Sequence, residues 1–114
     1  MRRDEQRLHD ILEAIDSLTR IVEHRTFDEL AADETLRYAV VQRLTVVGEA
    51  AARLSSEIKE RHGAITWADV VNFRNILVHE YFGLEWPIVW AAATEDAPAL
   101  RRQIAEILRS EFPE

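Results

Sequence analysis

The chain has 114 residues, a formal net charge of −7 and no cysteine. A chain of this length can build one hydrophobic core, so we expect one domain over residues 1–114. The lack of cysteine excludes disulfide bonds, a thiolate nucleophile and cysteine-ligated metals. The apolar runs are far shorter than the roughly 20 residues of a membrane-spanning helix, and the amphipathic N-terminus does not resemble a signal peptide. We therefore expect a soluble protein of the cytoplasm.

The charge is distributed unevenly along the sequence. Residues 1–35 carry five basic and ten acidic side chains, residues 36–79 carry six and four, and residues 80–114 carry three and seven. Because local potential rather than net charge attracts a polyanion, the basic middle segment is compatible with RNA or nucleotide binding.

The first part of the chain predicts one long amphipathic helix over about residues 4–24. Its apolar side chains recur at steps of three and four residues, which places them on one face. They are Leu8, Ile11, Leu12, Ile15, Leu18 and Val22. Thr26 and Glu29 then have the spacing of a capping box, and Asp33 offers another helix start, so a short helical turn should lead into the next long helix.

The second long helix is predicted over residues 33–54. One face carries Leu36, Val40, Leu44, Val47, Ala51 and Leu54, and further apolar residues widen it. A helix apolar over so wide an arc packs on more than one side. Gly48 and Glu49 lie mid-helix, and two interpretations of Glu49 are open: an exposed carboxylate beside closely packed small residues, or a partner that orients Arg74 or His79.

The remaining segments are also predicted to be helical. A short helix over residues 55–62 precedes a third long helix with Thr66 as its N-cap, which continues to Gly83. Pro87 suits the first turn of the last segment, whereas Pro98 should kink or divide it. With only three glycines and three prolines in the chain, we predict an all-α, up-and-down bundle of about four principal helices.

Residues 73–83, here called the central polar stretch, place Arg74, Asn75, His79 and Tyr81 among apolar neighbours. Such groups are costly to bury unpaired, so they belong to a site or to an internal hydrogen-bond network. In a continuous helix Arg74 and Tyr81 would share a side, with His79 roughly 140° from Arg74. Convergence of all three requires the helix to loosen near His79, or a second copy of the chain.

The residue types of this stretch suit cleavage of RNA without a metal. Arg74 can bind a phosphate, and His79 can exchange a proton with the ribose 2′-hydroxyl or the leaving oxygen, while Asn75 and Tyr81 position the phosphate. From the residues alone, a structural histidine at a helix end explains His79 better than a catalytic histidine does. The four histidines show no metal-binding spacing, and no glycine-rich phosphate loop occurs, so neither a metal nor a cofactor is predicted.

The sequence resembles the HepT-like toxins of the HEPN superfamily. Arg74, His79 and Tyr81 match their Arg-x4-His-x-Tyr motif, and Asn75 matches the polar residue common after the arginine. The likeness extends over nearly the whole chain. Further matching segments are residues 7–15, residues 47–51, Trp90 and Pro98.

This resemblance implies a fold, an activity and a set of roles. The fold would be an all-helical homodimer in which both copies of the motif line one cleft. The activity would be that of a toxin, a metal-independent endoribonuclease. Arg74 and His79 would be catalytic, with Asn75 and Glu49 supporting them.

The resemblance also implies a protein partner, an MntA-type nucleotidyltransferase antitoxin. Proteins of that type transfer AMP from ATP onto the motif tyrosine, here Tyr81, and the toxin is silenced. Phosphates added near Arg74 would occupy its guanidinium and repel RNA. The two proteins could assemble into a higher oligomer. In the homodimer we expect the second and third long helices and the region of Trp86 and Trp90 to form the interface, although packing in the core explains each tryptophan equally well.

Two alternatives to the nuclease are carried forward. In one, the protein is a non-catalytic helical dimer that binds a nucleotide or serves as an adaptor, with Arg74 and Tyr81 holding the ligand. In the other, the dimer is purely structural, Arg74 pairs with Glu49 or Glu80, and His79 caps a helix.

Overall fold

The computed structural model describes residues 2–114, which form helices joined by short connections. The helices are α1 (Arg2–Val22), α2 (Phe27–Ala32), α3 (Glu34–Ala52), α4 (Ser56–Arg61), α5 (Trp67–His79), α6 (Trp86–Ala91) and α7 (Ala97–Glu111). A 3₁₀ turn spans Tyr81–Gly83, and a π-helical segment, Ala92–Asp96, joins α6 to α7. The described residues contain no β-strand, so the all-α prediction is confirmed.

The four principal helical segments are α1, α3, α5 and the continuous run from α6 to α7. α1 packs against both α3 and α7, and α3 packs against both α1 and α5. α3 and α5 are antiparallel, because Arg74 contacts Glu49 late in α3 whereas Tyr81, beyond the end of α5, contacts Tyr38 early in α3. The predicted bundle of four principal helices is confirmed.

The core lies along α1 and α3. Four side chains of the predicted α1 stripe are fully buried, namely Leu8, Ile11, Ile15 and Leu18. All six residues of the predicted α3 face are buried as well, and so are Val41 and Ala50 beside it. Burying one Leu or Ile side chain stabilises the fold by roughly 1.5–3 kcal/mol. α3 is therefore the central helix, packed on two sides as its wide apolar arc predicts.

Side-chain caps mark the starts of α2 and α3. Thr26 and Glu29 form the predicted capping box, with Glu29 N–H donating to Thr26 Oγ1 at 3.2 Å and Thr26 N–H donating to Glu29 at 3.0 Å. Asp33 accepts from Leu36 N–H at 3.2 Å and begins α3. Thr66 precedes α5 as predicted, but its side chain makes no capping hydrogen bond.

The third long helix ends earlier than predicted. α5 stops at His79, and Glu80 leaves helical geometry with φ −127° and ψ 36°. Gly83 ends the 3₁₀ turn with a negative φ, so it is not a left-handed helix cap. The ring of Tyr81 stacks on Tyr38 of α3, and this packing redirects the chain before the glycine is reached.

The two prolines of the last segment lie where the sequence predicts. Pro87 is in the first turn of α6 and Pro98 in the first turn of α7. Between these helices, Ala97 N–H donates to Ala92 C=O, a bond one residue longer than in an α-helix. The π segment thus divides the last segment into two α-helices just before Pro98, as the sequence predicts.

Candidate active site

Arg74 is seated against α3 at Gly48. A Cβ atom at position 48 would overlap Arg74 Cβ, lie 2.9 Å from Arg74 Cγ and lie 3.3 Å from the carbonyl oxygen of Val70. Only a glycine leaves room for the stem of the arginine at this crossing. The close packing predicted at the small residues of α3 is therefore present, and Arg74 is the residue that it admits.

Two side chains hold the guanidinium of Arg74 in place. Its Nη2 donates to Glu49 Oε2 at 2.5 Å, and its Nη1 donates to Asn75 Oδ1 at 2.6 Å. Glu49 also accepts from Arg53 at 3.0 and 3.2 Å. The hydrogen bond from Arg74, followed by the one from Arg53, lowers the pKa of Glu49, so the carboxylate stays charged at neutral pH.

The contact supports the second interpretation of Glu49, in which the carboxylate orients Arg74. It is also the ion pair that the purely structural alternative predicts. No hydrogen bond or salt bridge joins Glu49 to His79 within residues 2–114.

Part of the Arg74 guanidinium remains available to a ligand. The side chain is 24% exposed, and each Nη carries a second N–H beyond the one used by Glu49 or Asn75. Its Nε is buried and finds no acceptor among the described residues. A buried arginine nitrogen without a partner costs free energy, so the stem is held by packing rather than by a full set of hydrogen bonds.

His79 is the last residue of α5 and is exposed. In the part of the chain that the structure describes, its ring makes no hydrogen bond or ion pair, and the C-cap of α5 is Glu80. The structure therefore does not show the capping role that the structural alternative assigns to His79. Both ring nitrogens are open to proton exchange with a bound molecule.

Tyr81 lies in a group of aromatic rings. It stacks on Tyr38, with centroids 5.6 Å apart and an angle of 23° between planes, and it meets Phe82 and Trp86 edge to face at 5.7 and 5.8 Å. Burial, followed by the influence of Tyr38, raises the pKa of the Tyr81 hydroxyl. The hydroxyl is therefore protonated at neutral pH.

One copy of the chain does not bring all the predicted site residues together. Arg74 contacts Glu49, whereas Tyr81 contacts Tyr38. Glu49 and Tyr38 are eleven residues apart in α3, which corresponds to about 16 Å along the helix. Among residues 2–114, no hydrogen bond or salt bridge links Arg74, His79 and Tyr81 to one another.

Sequence reasoning missed two contributors to the site. Arg53 lies four residues after Glu49, a spacing that predicts a helical ion pair and could have indicated this contact. Tyr38 carries no such signal, because its contact with Tyr81 depends on how α3 and α5 cross.

The described residues show no cluster of three or more histidine, aspartate or glutamate side chains suited to a metal. None of the helices in residues 2–114 is both long enough and apolar enough to span a bilayer.

Comparison with known proteins gives sequence relatives. A "putative RNase" from Caldanaerobacter subterraneus subsp. tengcongensis is 34% identical over 104 residues, covering 91% of this chain and 93% of the relative. A "putative RNase" from Methanocaldococcus jannaschii is 30% identical over 97 residues, covering 85% and 89%. A "probable ribonuclease HepT" from Thermococcus cleftensis is 29% identical over 100 residues, covering 88% and 91%. No solved structure matches the chain significantly.

The family comparison agrees with the resemblance carried by the central polar stretch. The profile of the family described as "Ribonuclease HepT-like" matches residues 11–107, which include Glu49 and the whole Arg-x4-His-x-Tyr motif. This chain therefore belongs to the HepT-like ribonuclease family.

Proposed function

We propose that this protein is the toxin of a toxin–antitoxin pair and acts as a metal-independent endoribonuclease. The observation that carries the proposal is the arrangement around Arg74. Its guanidinium is held by Glu49 and Asn75, keeps free N–H groups, and lies five residues before an exposed His79. Membership of a ribonuclease family supports RNA as the substrate.

In the proposed mechanism, Arg74 binds the phosphate at the point of cleavage. A neutral His79 takes the proton of the ribose 2′-hydroxyl, and the 2′-oxygen attacks phosphorus. The bond from phosphorus to the 5′-oxygen breaks, and a protonated His79 of a second copy gives its proton to that oxygen. The products are a 2′,3′-cyclic phosphate and a free 5′-hydroxyl. Arg74 offsets the charge that builds on the phosphate oxygens.

A second copy is part of the proposal because α5 leaves apolar side chains uncovered beside the motif. Ile76 is 43% exposed and Val78 is 51% exposed, and they flank the buried Leu77, about 200° apart around the helix. A homodimer through one of these two sides of α5 would bury its exposed apolar side chain and bring two motifs to one cleft. Trp86 and Trp90 are partly buried against their own core, so they favour an interface less than the exposed side chains of α5 do.

We include in the proposal an MntA-type nucleotidyltransferase antitoxin that modifies Tyr81. The phenolic oxygen would attack the α-phosphorus of ATP and release pyrophosphate. A tyrosine hydroxyl is protonated at neutral pH, so in this proposal the transferase supplies the base that removes the Tyr81 proton. Because the pair would use RNA and ATP, the cytoplasm is its proposed location.

Mass spectrometry after co-expression should find AMP on Tyr81 and none on the Tyr81→Phe chain. Equal modification of both chains would contradict this part of the proposal.

The experiment that tests the nuclease is cleavage of purified single-stranded RNA in the presence of a metal chelator. Wild type should cleave, whereas Arg74→Ala and His79→Ala should each lose at least about 100-fold in rate, the scale of a lost acid–base or charge-stabilising group. Arg102→Ala is the matched control, because Arg102 is an exposed arginine of α7 outside the site. Circular dichroism verifies that the variants fold.

The alternatives predict different results in the same assay. RNA or nucleotide binding without cleavage products would support the non-catalytic adaptor. Full activity of both Arg74→Ala and His79→Ala would support the purely structural dimer and end the nuclease proposal.

A further inference from the structure

Four aromatic side chains, Tyr38, Tyr81, Phe82 and Trp86, form a cluster at the end of α5 that we call the aromatic shelf. Tyr81 lies at its centre, in contact with the other three rings. Phe82 is fully exposed and Tyr38 is 52% exposed. Two aromatic rings in contact with Tyr81 therefore present open surface to solvent.

The shelf differs chemically from the other exposed apolar surface. Ile76, Val78 and Ile88 are aliphatic, and packing against another protein surface is the usual fate of such side chains. Aromatic rings offer flat π faces, on which unpaired nucleobases stack largely without regard to sequence.

The charges around the shelf are of both signs, so the rings rather than a charge distinguish this surface. Arg37 lies over the Trp86 ring at 5.5 Å and donates to the carbonyl groups of Leu30 and Ala31, which leaves its positive charge in place. Glu80 and Glu85, which flank the 3₁₀ turn, are both exposed. A base can stack on the exposed rings without bringing its own phosphate onto them.

The shelf is also close to His79, the proposed acid–base residue. Phe82 follows His79 by three residues, which limits their Cα atoms to about 10 Å apart. A phosphate bound near Arg74 and His79 would therefore have an adjoining base within reach of the shelf.

From these observations we infer that Phe82 and Tyr38 stack an unpaired base of the RNA beside the phosphate that is cut, and so select single-stranded substrate. This inference rests on the proposed ribonuclease function. A paired base cannot leave its stack to reach the rings without breaking the duplex, and the second strand would carry further phosphates toward Glu80 and Glu85.

The test compares substitutions at Phe82 on one single-stranded RNA and on the same sequence in a duplex. Phe82→Ala and Phe82→Leu should raise KM for the single strand by about 5- to 150-fold, the range expected for one base stacked on one ring. Phe82→Trp should keep the wild-type KM, because it keeps a π face. Ile88→Ala is the matched control, since it removes exposed apolar surface outside the shelf.

A second arm places an abasic nucleotide next to the cleavage point. With wild type, this substrate should lose at least as much kcat/KM as Phe82→Ala loses with normal RNA, because the missing base gives up both rings. With Phe82→Ala, the missing base should cost less than it costs with wild type, because one of its two stacking rings is already absent. Independent, additive losses would overturn the inference.

The outcomes separate this inference from the proposed function. If Arg74→Ala abolishes cleavage while Phe82→Ala behaves as wild type, the shelf assignment is wrong and the nuclease stands. If wild type cleaves no RNA, the nuclease proposal fails, and the shelf is then tested by binding of the same single-stranded RNA. Affinity of Phe82→Ala equal to that of wild type would overturn the shelf assignment as well, whereas weaker affinity would support it. If Phe82→Ala alters only dimerisation or capture of the nucleotidyltransferase, the ring belongs to a protein interface and the inference is overturned.

Discussion

Glu49 Oε2 lies 2.5 Å from Arg74 Nη2 and joins the last turn of α3 to the middle of α5. The two residues are 25 positions apart in the sequence, and each is bonded to a further side chain, Arg53 or Asn75. The ion pair fixes the direction of the only guanidinium in the motif. Its effect on catalysis should therefore exceed its effect on stability, which is small for ion pairs open to solvent.

For this pair we predict a loss of activity in Glu49→Ala. Without the carboxylate, Arg74 is free to rotate away from the phosphate, and a misplacement of about 1 Å can cost about 100-fold in rate. Glu49→Gln should lose less, because an amide oxygen can still accept one hydrogen bond. Single-turnover cleavage provides the measurement. Arg53→Ala is the control, since Arg53 touches Glu49 but not Arg74; an equal loss there would contradict the positioning role.

Replacing Gly48 should disturb both the fold and the site. The added methyl group of Gly48→Ala overlaps the stem of Arg74, and overpacking of this kind costs about 1–3 kcal/mol. The better helix propensity of alanine offsets up to about 1 kcal/mol. Urea denaturation should show reduced stability, and cleavage should fall.

The chain offers a matched control for this substitution. A Cβ at Gly63 would meet its nearest atom, Glu60 O, at 3.7 Å, an ordinary contact. Gly63→Ala should therefore be close to neutral. Equal behaviour of Gly48→Ala and Gly63→Ala would contradict the seating of Arg74 described above.

A charge on the exposed apolar surface of α5 should separate the proposed dimer. Ile76 and Val78 lie on different sides of this helix, and burying an unpaired carboxylate at an apolar interface is strongly unfavourable. Whichever of Ile76→Glu and Val78→Glu lies in the interface should therefore shift the protein toward monomer and reduce cleavage. Sedimentation velocity gives the oligomeric state. Thr19→Glu, on the exposed side of α1, controls for the added charge. A protein that remains dimeric in both α5 variants must use another surface.

Stability at low pH should depend on Glu111. This carboxylate accepts from Arg61 at 2.9 Å and contacts His62 Nε2 at 2.8 Å, and these bonds lower its pKa from 4.5 to about 2. A lowered folded-state pKa contributes stability that is complete above about pH 4.5 and is lost as the pH falls through about 2.

We therefore expect Glu111→Gln to unfold at lower urea concentration than wild type at pH 7, with the difference narrowing as the pH falls below about 4.5. Glu106→Gln is the control, because the Glu106–Arg109 pair is exposed and lies within α7. A wild-type advantage that stays constant down to pH 2 would show that the network does not act through ionisation of Glu111.

Features governed by nearby residues were predictable from the sequence, and those governed by crossings between helices were not. The Thr26–Glu29 capping box and the buried stripe of α1 follow from spacings of three and four residues. The early end of α5 does not, because it depends on Tyr81 meeting Tyr38, which is 43 positions earlier. In the candidate site, the motif alone was enough to identify Arg74, His79 and Tyr81 from the sequence. The sequence left open whether Glu49 faced solvent or Arg74, because either orientation satisfies the same helical pattern.

The π segment between α6 and α7 preserves the rotational phase of the last helix. One residue of an α-helix corresponds to about 100° of rotation, and the wider turn of Ala92–Asp96 takes up one additional residue without passing that rotation on to α7. Removing Thr94 should therefore restore α-helical hydrogen bonding and leave Ile104 and Ile107 in the interior, and calorimetry should show a melt that is still cooperative. A one-residue deletion within α7 before Ile104 has no such turn to absorb it, so it should rotate both side chains toward water and broaden the melt.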